Sequence, residues 1–386
     1  MPAAVLYPRF DHPAIEERYA SWQTQMLLRG GEQPQFVFYD VAEPAANVAA
    51  EVDTDHVLVV TDPLLVPSSH LSSGLRAVLE MTNVAAAVPV TNESQNAAQR
   101  RTPPAPYLTL RELQDAMDRL AQEPSVVTRT TWDRSDPAVY LCRTDLLDHV
   151  NVPLREALSG REVGIATNEY VHRWSSLRGQ TRHDLLSRIS TDAKSILEFG
   201  CGEAPLGEAL KKRQRCRVVG IELDANAAAV ASRRIDDVYR GDVREIVSIL
   251  DEKFDWIIGG DIVEHLDEPW SFLSELRRLA APGGKVLLSI PNLANASVVA
   301  DLLRGRFDYV YMGLTCVGHV RFFTKQSIAD MLTIAGWTVV EIEPQDLAAS
   351  AAREELTAAL DGSGFSYSKE DLLPTGYYVI ARNDHG

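Results

Sequence analysis

Cysteine is scarce in this sequence, and its few cysteines are not spaced as pairs. The four, Cys142, Cys201, Cys216 and Cys316, include no C-x-x-C motif. This spacing argues against a disulfide framework and against a zinc ribbon. Scattered thiols are typical of proteins from a reducing compartment, so we expect a cytoplasmic protein.

Long hydrophobic runs are also missing. No stretch approaches eighteen consecutive apolar residues, and the N-terminal sequence MPAAVLYPRFDHPAIEERY lacks a basic region followed by an apolar one. A helix needs about 20 apolar residues to cross a bilayer, and a signal peptide needs both of those regions. We therefore expect neither a signal peptide nor a membrane span.

Positive charge is the third shortage. Lys and Arg total 38 against 54 Asp and Glu, the net charge is −16, and the first lysine in the chain is Lys194. Binding to nucleic acid or to an anionic membrane surface requires clustered cations. We therefore expect no nucleic-acid partner.

The chain is long enough for two cores, since 386 residues suit two or three domains of about 100 to 200 residues each. In the first part, short apolar runs bounded by turn residues predict buried strands. A helical pattern over residues 68–82 between two of them gives the strand-helix-strand rhythm of a parallel α/β sheet. The predicted strands are Gln35–Asp40, His56–Thr61, Val84–Val90 and Val139–Arg143, and Thr91–Tyr107 is predicted as a long loop.

The second part alternates strands and helices more clearly, and a helical region is expected around Asn168–Ser190 before its first strand. We place a smaller α/β domain over residues 1–155 and a doubly wound, Rossmann-like α/β domain over 156–386. The latter divides into a helical lid, 156–193, and a core, 194–386. The predicted strands of the core are Ser195–Phe199, Arg217–Ile221, Phe254–Gly259, Lys285–Ile290, Trp337–Ile342 and Tyr377–Ala381.

The clearest chemical motif is LEFGCGEAPLG, residues 197–207, which lies between a predicted strand and a predicted helix. A G-x-G turn lets the backbone approach a ligand closely, and the helix that follows offers free N–H groups. On its own the motif equally describes a tight strand-to-helix turn.

Two acidic residues extend the motif into a ligand site. Glu222 ends the second strand, where a carboxylate can accept both ribose hydroxyls, and Asp242 follows a short strand, where it can accept from an adenine amino group. A dinucleotide remains the alternative, but Glu198, two residues before the first glycine, would repel a pyrophosphate and suits a cationic ligand.

These features resemble class I S-adenosylmethionine-dependent methyltransferases, whose first motif is E/D-x-G-x-G. The resemblance runs from about Ile196 to the C-terminus and implies S-adenosyl-L-methionine as the cofactor and S-adenosyl-L-homocysteine as its product. The cofactor-binding residues that it implies in the core are Glu198, Gly200, Gly202, Glu222, Leu223, Asp242, Val243, Asp261 and Ile262.

Ahead of the core, residues 168–186 resemble the helix that closes over the cofactor in these enzymes. This resemblance implies that Tyr170 and Arg173 reach the carboxylate of the cofactor, for which an arginine offers a two-pronged donor. An ordinary solvated amphipathic helix is the alternative.

The segment GRFDYVYMGLTCVGHVRFFT resembles the ubiquinone-type O-methyltransferases and their relatives, which have G-R-F-x-Y followed by H-x-R-F-F-T. By this resemblance His319 is the candidate general base, and His265 lines the cleft as a second candidate. Each could instead be a purely structural histidine. Residues 315–319 read TCVGH where the family pattern has D-R-T-H, which leaves the acceptor pocket open.

Asp261, Glu264 and His265 are spaced so that a helix beginning at Asp261 would place all three on one face. Such a set could hold a divalent ion that acidifies a hydroxyl group. Acidic residues also favour helix N-termini because of the helix dipole, and on this ground we predict no metal site.

The stretch from Asp53 to Asn92 resembles family 2 glycosyltransferases, of GT-A-like fold, whose D-x-D motif holds a divalent ion. Here the motif is reduced to the single acid of Thr61-Asp62-Pro63-Leu64. The sequence thus predicts a degenerate glycosyltransferase-like domain, used for binding or assembly, joined to a methyltransferase. The acceptor expected is a hydroxyl of a sugar, a glycan or a small metabolite. A non-catalytic cofactor-binding scaffold and a bifunctional glycosyltransferase/methyltransferase are the alternatives.

Overall fold

The computed structural model divides the chain into two compact units. The N-terminal unit comprises Met1–Ser175 together with Asp308–Val317, and the C-terminal unit comprises Ser176–Phe307 and Gly318–Gly386. Within the described residues, no helix is both long and apolar enough to span a bilayer. The structure describes residues 4–10, 14–29, 34–102, 108–174, 179–347 and 351–384.

The N-terminal unit is built on a mixed sheet, with eight strands among the described residues, in the order β2-β1-β3-β7-β5-β8-β4, and β6 pairs with β8. Its strands are β1 Ala4–Pro8, β2 Phe36–Tyr39, β3 His56–Val60, β4 Leu65–Pro67, β5 Ala86–Thr91, β6 Val127–Thr131, β7 Val139–Arg143 and β8 Glu162–Arg173. Its helices are α1 Ile15–Arg29, α2 Ala45–Ala49, α3 Leu71–Thr82 and α4 Leu110–Ala121.

The four strands that the sequence predicts in this unit are all present, but the sheet is not purely parallel. Strand β7 pairs antiparallel with both β3 and β5, whereas β1, β2 and β3 pair in parallel. The apolar runs could not show this, because a strand buried on both faces has the same composition in either direction. The predicted loop is free of helix and strand from residue 92 to residue 102, and its residues 103–107 lie outside the described ones.

The largest error of the sequence analysis concerns the region predicted as a helical lid. Residues 162–173 form β8, which pairs with β4, β5 and β6, so the N-terminal unit extends to residue 175 instead of 155. Pairing on both edges with a buried sheet outweighs the local helical pattern of this stretch. The remainder of the predicted helix is reduced to α5, His183–Leu186, and its residues 175–178 lie outside the described ones.

Arg173, at the end of β8, forms the strongest polar cluster of the N-terminal unit. Its guanidinium donates to Asp62 over 2.7 and 3.0 Å and to Asp136 over 2.8 Å. Only about a fifth of each of these three side chains is exposed. The single acid of the reduced D-x-D motif is therefore occupied by an internal cation.

The C-terminal unit contains a second sheet, with seven strands among the described residues, in the order β11-β10-β9-β12-β13-β15-β14. Its strands are β9 Ser195–Phe199, β10 Arg217–Glu222, β11 Asp237–Arg240, β12 Phe254–Gly260, β13 Ala280–Pro291, β14 Thr338–Leu347 and β15 Pro374–Arg382. After α5, its helices are α6 Pro205–Arg213, α7 Ala225–Ala231, α8 Val243–Ile249, α9 Pro269–Leu276, α10 Ala296–Leu303, α11 Lys325–Ile334 and α12 Ala351–Asp361.

This second sheet confirms the predicted doubly wound fold. Strands β9 to β13 run parallel, and β15 is antiparallel to both of its neighbours. Two separate apolar clusters of buried side chains, one containing Leu197 and Phe199 and the other containing Ile196, lie on opposite faces of β9. The strand order reverses between β9 and β12, and a ligand site in such a sheet is expected outside the carboxyl ends of the strands at that point.

The Arg173 cluster predicts a stability effect confined to the N-terminal unit. Arg173→Ala leaves the carboxylates of Asp62 and Asp136 without their donor, and we expect a loss of about 1 to 3 kcal/mol in the free energy of unfolding. Chemical denaturation would measure it. The control is Arg143→Ala, whose pair with Asp145 is exposed to solvent, so its loss should change the free energy of unfolding much less. If Arg173 bound the cofactor instead, affinity for S-adenosylhomocysteine would fall while stability stayed near that of the control.

Candidate active site

The glycine turn lies at the carboxyl end of β9, next to the point where the strand order reverses. Gly200 and Gly202 have φ values of +70° and +56°, which side chains other than glycine rarely adopt. A Cβ on Gly200 would overlap the side chain of Ile262. The turn is therefore tight, and at Gly200 and Gly202 no side chain separates the backbone from a ligand.

Glu198 lies beneath this turn in an unusual electrostatic state. Its side chain is 7% exposed, and within the described structure its Oε2 accepts no hydrogen bond. Burial raises the pKa of Glu198 to about 8, an effect that Glu222 reinforces and Arg182 opposes. A buried carboxylate of this kind is stabilised by a cationic ligand group, as the sequence suggested.

Glu222 is the last residue of β10, and its carboxylate is hydrogen-bonded to the glycine turn. Its Oε2 accepts from the backbone N–H of Gly202 over 2.8 Å, and its Oε1 accepts from that of Asp224 over 2.8 Å. Each carboxylate oxygen keeps a second lone pair, which suits a pair of ribose hydroxyls. Leu223 follows with 70% of its surface exposed and offers an apolar contact beside them.

Asp242 follows β11 at the same edge of the sheet. Its carboxylate caps α8 through the backbone N–H of Arg244, and the Arg244 side chain bonds both of its oxygens. The hydrogen bonds from Arg244 lower the pKa of Asp242, which keeps it ionised and able to accept. Val243 begins α8 and is half-buried.

Asp261 occupies the corresponding position after β12, in a left-handed conformation with φ +55°. Its Oδ2 lies 2.7 Å from Nη1 of Arg182, and its Oδ1 accepts from the Ser289 hydroxyl over 2.8 Å. Arg182 also bonds Ser289 and Asp184, so the strained backbone is held by a network of side chains. Non-glycine residues with such backbone strain cluster at ligand sites.

Asp261, Glu264 and His265, the set that helical spacing would have placed on one face, do not come together. A 3-10 turn, Val263–His265, follows β12 in place of an α-helix, and Asp261 is taken up by Arg182. The structure instead brings His319 to Glu264 and His265, with one ligand atom of each within 4.8 Å of the others. The expected face depended on α-helical spacing, which the tighter turn does not have.

The geometry of this second cluster, Glu264, His265 and His319, is well defined. Glu264 is 1% exposed, and neither of its carboxylate oxygens accepts a hydrogen bond among the described residues. Nε2 of His319 lies 3.9 Å from Oε1 of Glu264, and the two histidine rings are 4.9 Å apart and nearly perpendicular. Nδ1 of His265 donates to the Gly318 carbonyl over 2.9 Å, which leaves its Nε2 as an acceptor. Burial raises the pKa of Glu264 well above its ordinary range.

Two of the residues predicted to bind the cofactor do not belong to the C-terminal unit. Tyr170 and Arg173 lie on β8 in the N-terminal unit, where Tyr170 is fully buried and Arg173 is bound to Asp62 and Asp136. The sequence analysis missed Arg182 and Ser289. Ser289 is the one polar residue between Val286 and Ile290, a signal that was available, whereas nothing in the sequence singles out Arg182.

Part of the chain matches a known protein family. A family model described as "Methyltransferase domain" matches residues 171–342, a little less than half of the chain. Apart from residues 171–175 and 308–317, the matched residues belong to the C-terminal unit, which therefore contains the methyltransferase domain. Its cofactor is S-adenosylmethionine, as the sequence predicted, and the matched residues include β9 to β13 of the Rossmann-like sheet described above.

Curated relatives of this domain are distant. Ubiquinone biosynthesis O-methyltransferase from Cereibacter sphaeroides is 23% identical over 163 residues, which cover 41% of this chain and 66% of that protein, slightly under two thirds. The protein named "Probable S-adenosylmethionine-dependent methyltransferase" from Mycolicibacterium smegmatis is 30% identical over 149 residues, 38% of this chain and 52% of its own length.

Solved structures similar to the chain are also methyltransferases by name. A SAM-dependent methyltransferase from Archaeoglobus fulgidus covers 52% of this chain and 94% of its own, with 17% identity and a TM-score of 0.38. Magnesium protoporphyrin IX methyltransferase from Synechocystis with bound SAH covers 52% of this chain and 78% of its own, with 15% identity and a TM-score of 0.35.

The glycine turn predicts a sharp effect of substitution on cofactor affinity. Gly202→Asp adds a side chain at a positive φ and places a carboxylate next to Glu198 and Glu222, so we expect the affinity for S-adenosylhomocysteine to fall at least about 100-fold. Isothermal titration would measure it. The control is Gly283→Asp, which has a similar φ of +72° and open space around it. Full affinity in Gly202→Asp would refute a cofactor site at this turn.

The raised pKa of Glu198 predicts a pH dependence of cofactor binding. A cationic ligand favours the ionised carboxylate, so below about pH 8 binding must release the proton of Glu198. Affinity for S-adenosylmethionine should therefore rise between pH 6 and pH 8, by at most about tenfold per pH unit. Without the cofactor, the free energy of unfolding changes with pH in the opposite direction. The contribution of Glu198 to stability is lost as the pH rises through its pKa in the folded protein. Titration in buffers of different ionisation enthalpy would count the released proton, and Glu198→Gln should abolish the release.

Proposed function

We propose that the protein is an S-adenosylmethionine-dependent O-methyltransferase acting on a hydroxyl group of a small molecule or sugar. The observation that carries this proposal is the presence of two separate buried acids at one edge of the C-terminal sheet. Glu198 lies under the glycine turn, and Glu264 lies in the cluster with His265 and His319. The first acid suits a cationic cofactor, and the second suits the removal of a proton from an acceptor.

The residues at the glycine turn fit the cofactor. When bound, it supplies a methyl group already activated by the sulfonium. Glu198 would face the positively charged methionine portion, Glu222 would hold the ribose, and Leu223 with Asp242 would hold the adenine. Asp261 and Ile262 would flank the other side of the turn, where Arg182 fixes Asp261. This chain therefore mainly positions two reactants, which can account for a large share of a rate enhancement.

His319 is the best placed general base for the acceptor hydroxyl. Its partner Glu264 is buried with Oε1 3.9 Å from Nε2 of His319, and once ionised it would stabilise the imidazolium that forms when His319 takes the proton of the hydroxyl. His265 is oriented by the Gly318 carbonyl and presents its Nε2 to the same space. The proton of the hydroxyl would thus pass to a histidine nitrogen as the oxygen attacks the methyl carbon.

A divalent cation fits the same three side chains, contrary to our expectation from the sequence. The unpartnered carboxylate oxygens of Glu264 and one nitrogen from each histidine form a mixed oxygen and nitrogen donor set. Nδ1 of His265 donates to a backbone carbonyl, which is usual for a metal-bound histidine. Such an ion would lower the pKa of an acceptor hydroxyl bound to it.

Two acceptor classes follow from different parts of the chain. The ubiquinone biosynthesis O-methyltransferases among the relatives favour a phenolic hydroxyl, whereas the glycosyltransferase-like pattern of the first part favours a sugar. We propose that the N-terminal unit itself transfers no sugar. The one acid of its D-x-D motif, Asp62, is held by Arg173, which takes the place of a metal ion.

Substitution of the buried cluster tests the proposed chemistry. Glu264→Gln and His319→Ala should lower the kcat of methyl transfer at least about 100-fold, because they remove the base and its partner. Affinity for S-adenosylhomocysteine should be unchanged. The assay would follow transfer from labelled S-adenosylmethionine to 3,4-dihydroxybenzoate and to rhamnose. Glu268→Gln, an exposed acid four residues further on, is the control.

Binding of Mn²⁺ provides a readout that needs no acceptor. Isothermal titration should detect one ion per chain in the unmodified protein and none in Glu264→Gln. Two results together would exclude an ion from the cluster: turnover of the unmodified protein that is unchanged by a chelator, and unchanged Mn²⁺ binding in Glu264→Gln. His319 would then act as a base without a metal ion. Normal turnover by both variants would refute the proposed site.

A further inference from the structure

The N-terminal unit has an open cleft of its own. Its volume is about 1090 Å³, close to the upper limit of the roughly 300 to 1000 Å³ that is usual for small-molecule sites. Its walls are β6, the loops that follow β5 and β6, and the segment that precedes β8, all within the N-terminal unit. Asp62 is not among the described residues that line the cleft, so a ligand there need not contact the reduced D-x-D motif.

Two arginines of this cleft have no anionic partner among the described residues. The side chains of Arg134 and Arg155 are exposed, and within the described part of the chain they form neither a hydrogen bond nor an ion pair. A third arginine of the cleft, Arg129, pairs with Glu162 over 2.7 Å. Arg134 and Arg155 therefore keep their N–H donors for a ligand.

Most acids of the cleft already have partners of their own. Asp136 accepts from Arg173 over 2.8 Å, and Asp133 accepts from the backbone N–H of Gly160 over 3.0 Å. Glu156 is the one lining acid whose side chain forms no hydrogen bond or ion pair among the described residues. Two unpaired guanidiniums thus share the cleft with one unpaired carboxylate, a balance that suits a small anion and not a polyanion.

The backbone at both arginines is fixed by side chains from other parts of the cleft wall. Asn96 donates from Nδ2 to the Arg134 carbonyl over 2.7 Å, and the buried side chain of Gln99 joins the same two loops through two further hydrogen bonds of 2.7 Å each. The buried Trp132 donates from Nε1 to the Arg155 carbonyl over 3.1 Å. The two guanidiniums therefore project from a preorganised backbone, which lowers the cost of binding a ligand.

Electrostatics place Arg155 near the loop that carries Arg134. Burial raises the pKa of Asp136, and the charges of Arg173 and Arg155 oppose this rise. Asp136 lies two residues after Arg134, so Arg155 is close enough to this loop to act on a charge within it. A single compact anion can therefore interact with both arginines.

We propose that this cleft binds a small molecule through a phosphate or carboxylate group held by Arg134 and Arg155. A guanidinium donates two parallel hydrogen bonds to such a group, and charge-assisted bonds of this kind are roughly twice as strong as neutral ones. Thr128, Thr130 and Ser159 line the same cleft, and their hydroxyls suit the polar remainder of the ligand. The site does not depend on methyl transfer, and it gives the N-terminal unit a binding role that requires no metal ion.

Titration of the full-length protein with inorganic phosphate and with succinate tests the site. Both titrations contain EDTA and are run at constant ionic strength. We expect saturable binding of at least one probe, with a dissociation constant of about 1 mM or below. Arg134→Gln and Arg155→Gln should each weaken this binding at least about tenfold, and Arg134→Lys should weaken it less because the positive charge remains.

Arg143→Gln is the matched control. Arg143 is exposed, like the two arginines of the cleft, but it is not among the described residues that line the cleft. This variant should bind the probe as the unmodified protein does. Thermal unfolding would verify that all variants remain folded, which is expected for substitutions of exposed side chains.

The two probes also identify the anionic group. Preferred binding of phosphate would assign a phosphate ester to the cleft, and preferred binding of succinate a carboxylic acid; either result confirms the site. The inference would be overturned if neither probe reached saturation, if Arg143→Gln weakened binding as much as the cleft variants, or if binding appeared only with Mg²⁺ in place of EDTA. Titration with S-adenosylhomocysteine reads the cofactor site separately, so a failure of the proposed function would leave this test unaffected.

Discussion

Two carboxylates that the fold buries without full hydrogen bonding, Glu198 and Glu264, set the character of the C-terminal unit. Burying an acid in this way costs free energy, which the acid can avoid by holding its proton or by meeting a positive charge. Without a positively charged partner both acids hold their protons, since burial raises the pKa of each. Each can therefore release its proton when a positive charge approaches, and we propose the cofactor as the partner of Glu198 and the acceptor side of the site for Glu264.

The parallel strands explain why these acids lie at the same edge of the sheet. Glu198 is in β9, and Glu264 follows β12, the strand that pairs with β9 where the strand order reverses. Arg182 lies near both acids and lowers the pKa of each, while its direct partners are Asp261, Asp184 and Ser289. A single guanidinium thus pairs with Asp261 and Asp184 at this edge, and among the described residues it makes no direct hydrogen bond to Glu198 or Glu264.

In the N-terminal unit, the half-buried charged groups around Arg173 pair with one another. Arg173 forms ion pairs with Asp62 and Asp136, so Asp62, the acid that the sequence analysis compared with a D-x-D motif, already faces a cation. Residues 308–317, from the second half of the sequence, also belong to this unit.

Local pattern was sufficient for the elements and for most of the cofactor turn. The apolar runs predicted four of the eight described strands of the first sheet and most of those of the second. Strand direction alone brings E-x-G-x-G at the end of β9, the acid that ends β10 and the acid after β11 to one edge of the sheet. The same reasoning failed for residues 162–173, where an amphipathic helical pattern lost to strand pairing on both edges of β8.

The sequence by itself determined the fold class, the glycine turn and the acids Glu198 and Glu222, because each depends on residues close together in the chain. Only the tertiary structure decided the histidine cluster, the anchoring role of Arg182 and the unit to which residues 308–317 belong. His319 is separated from Glu264 by more than fifty residues, and its approach depends on a 3-10 turn where an α-helix was expected. Long-range contacts of this kind are fixed by packing, which local sequence pattern does not encode.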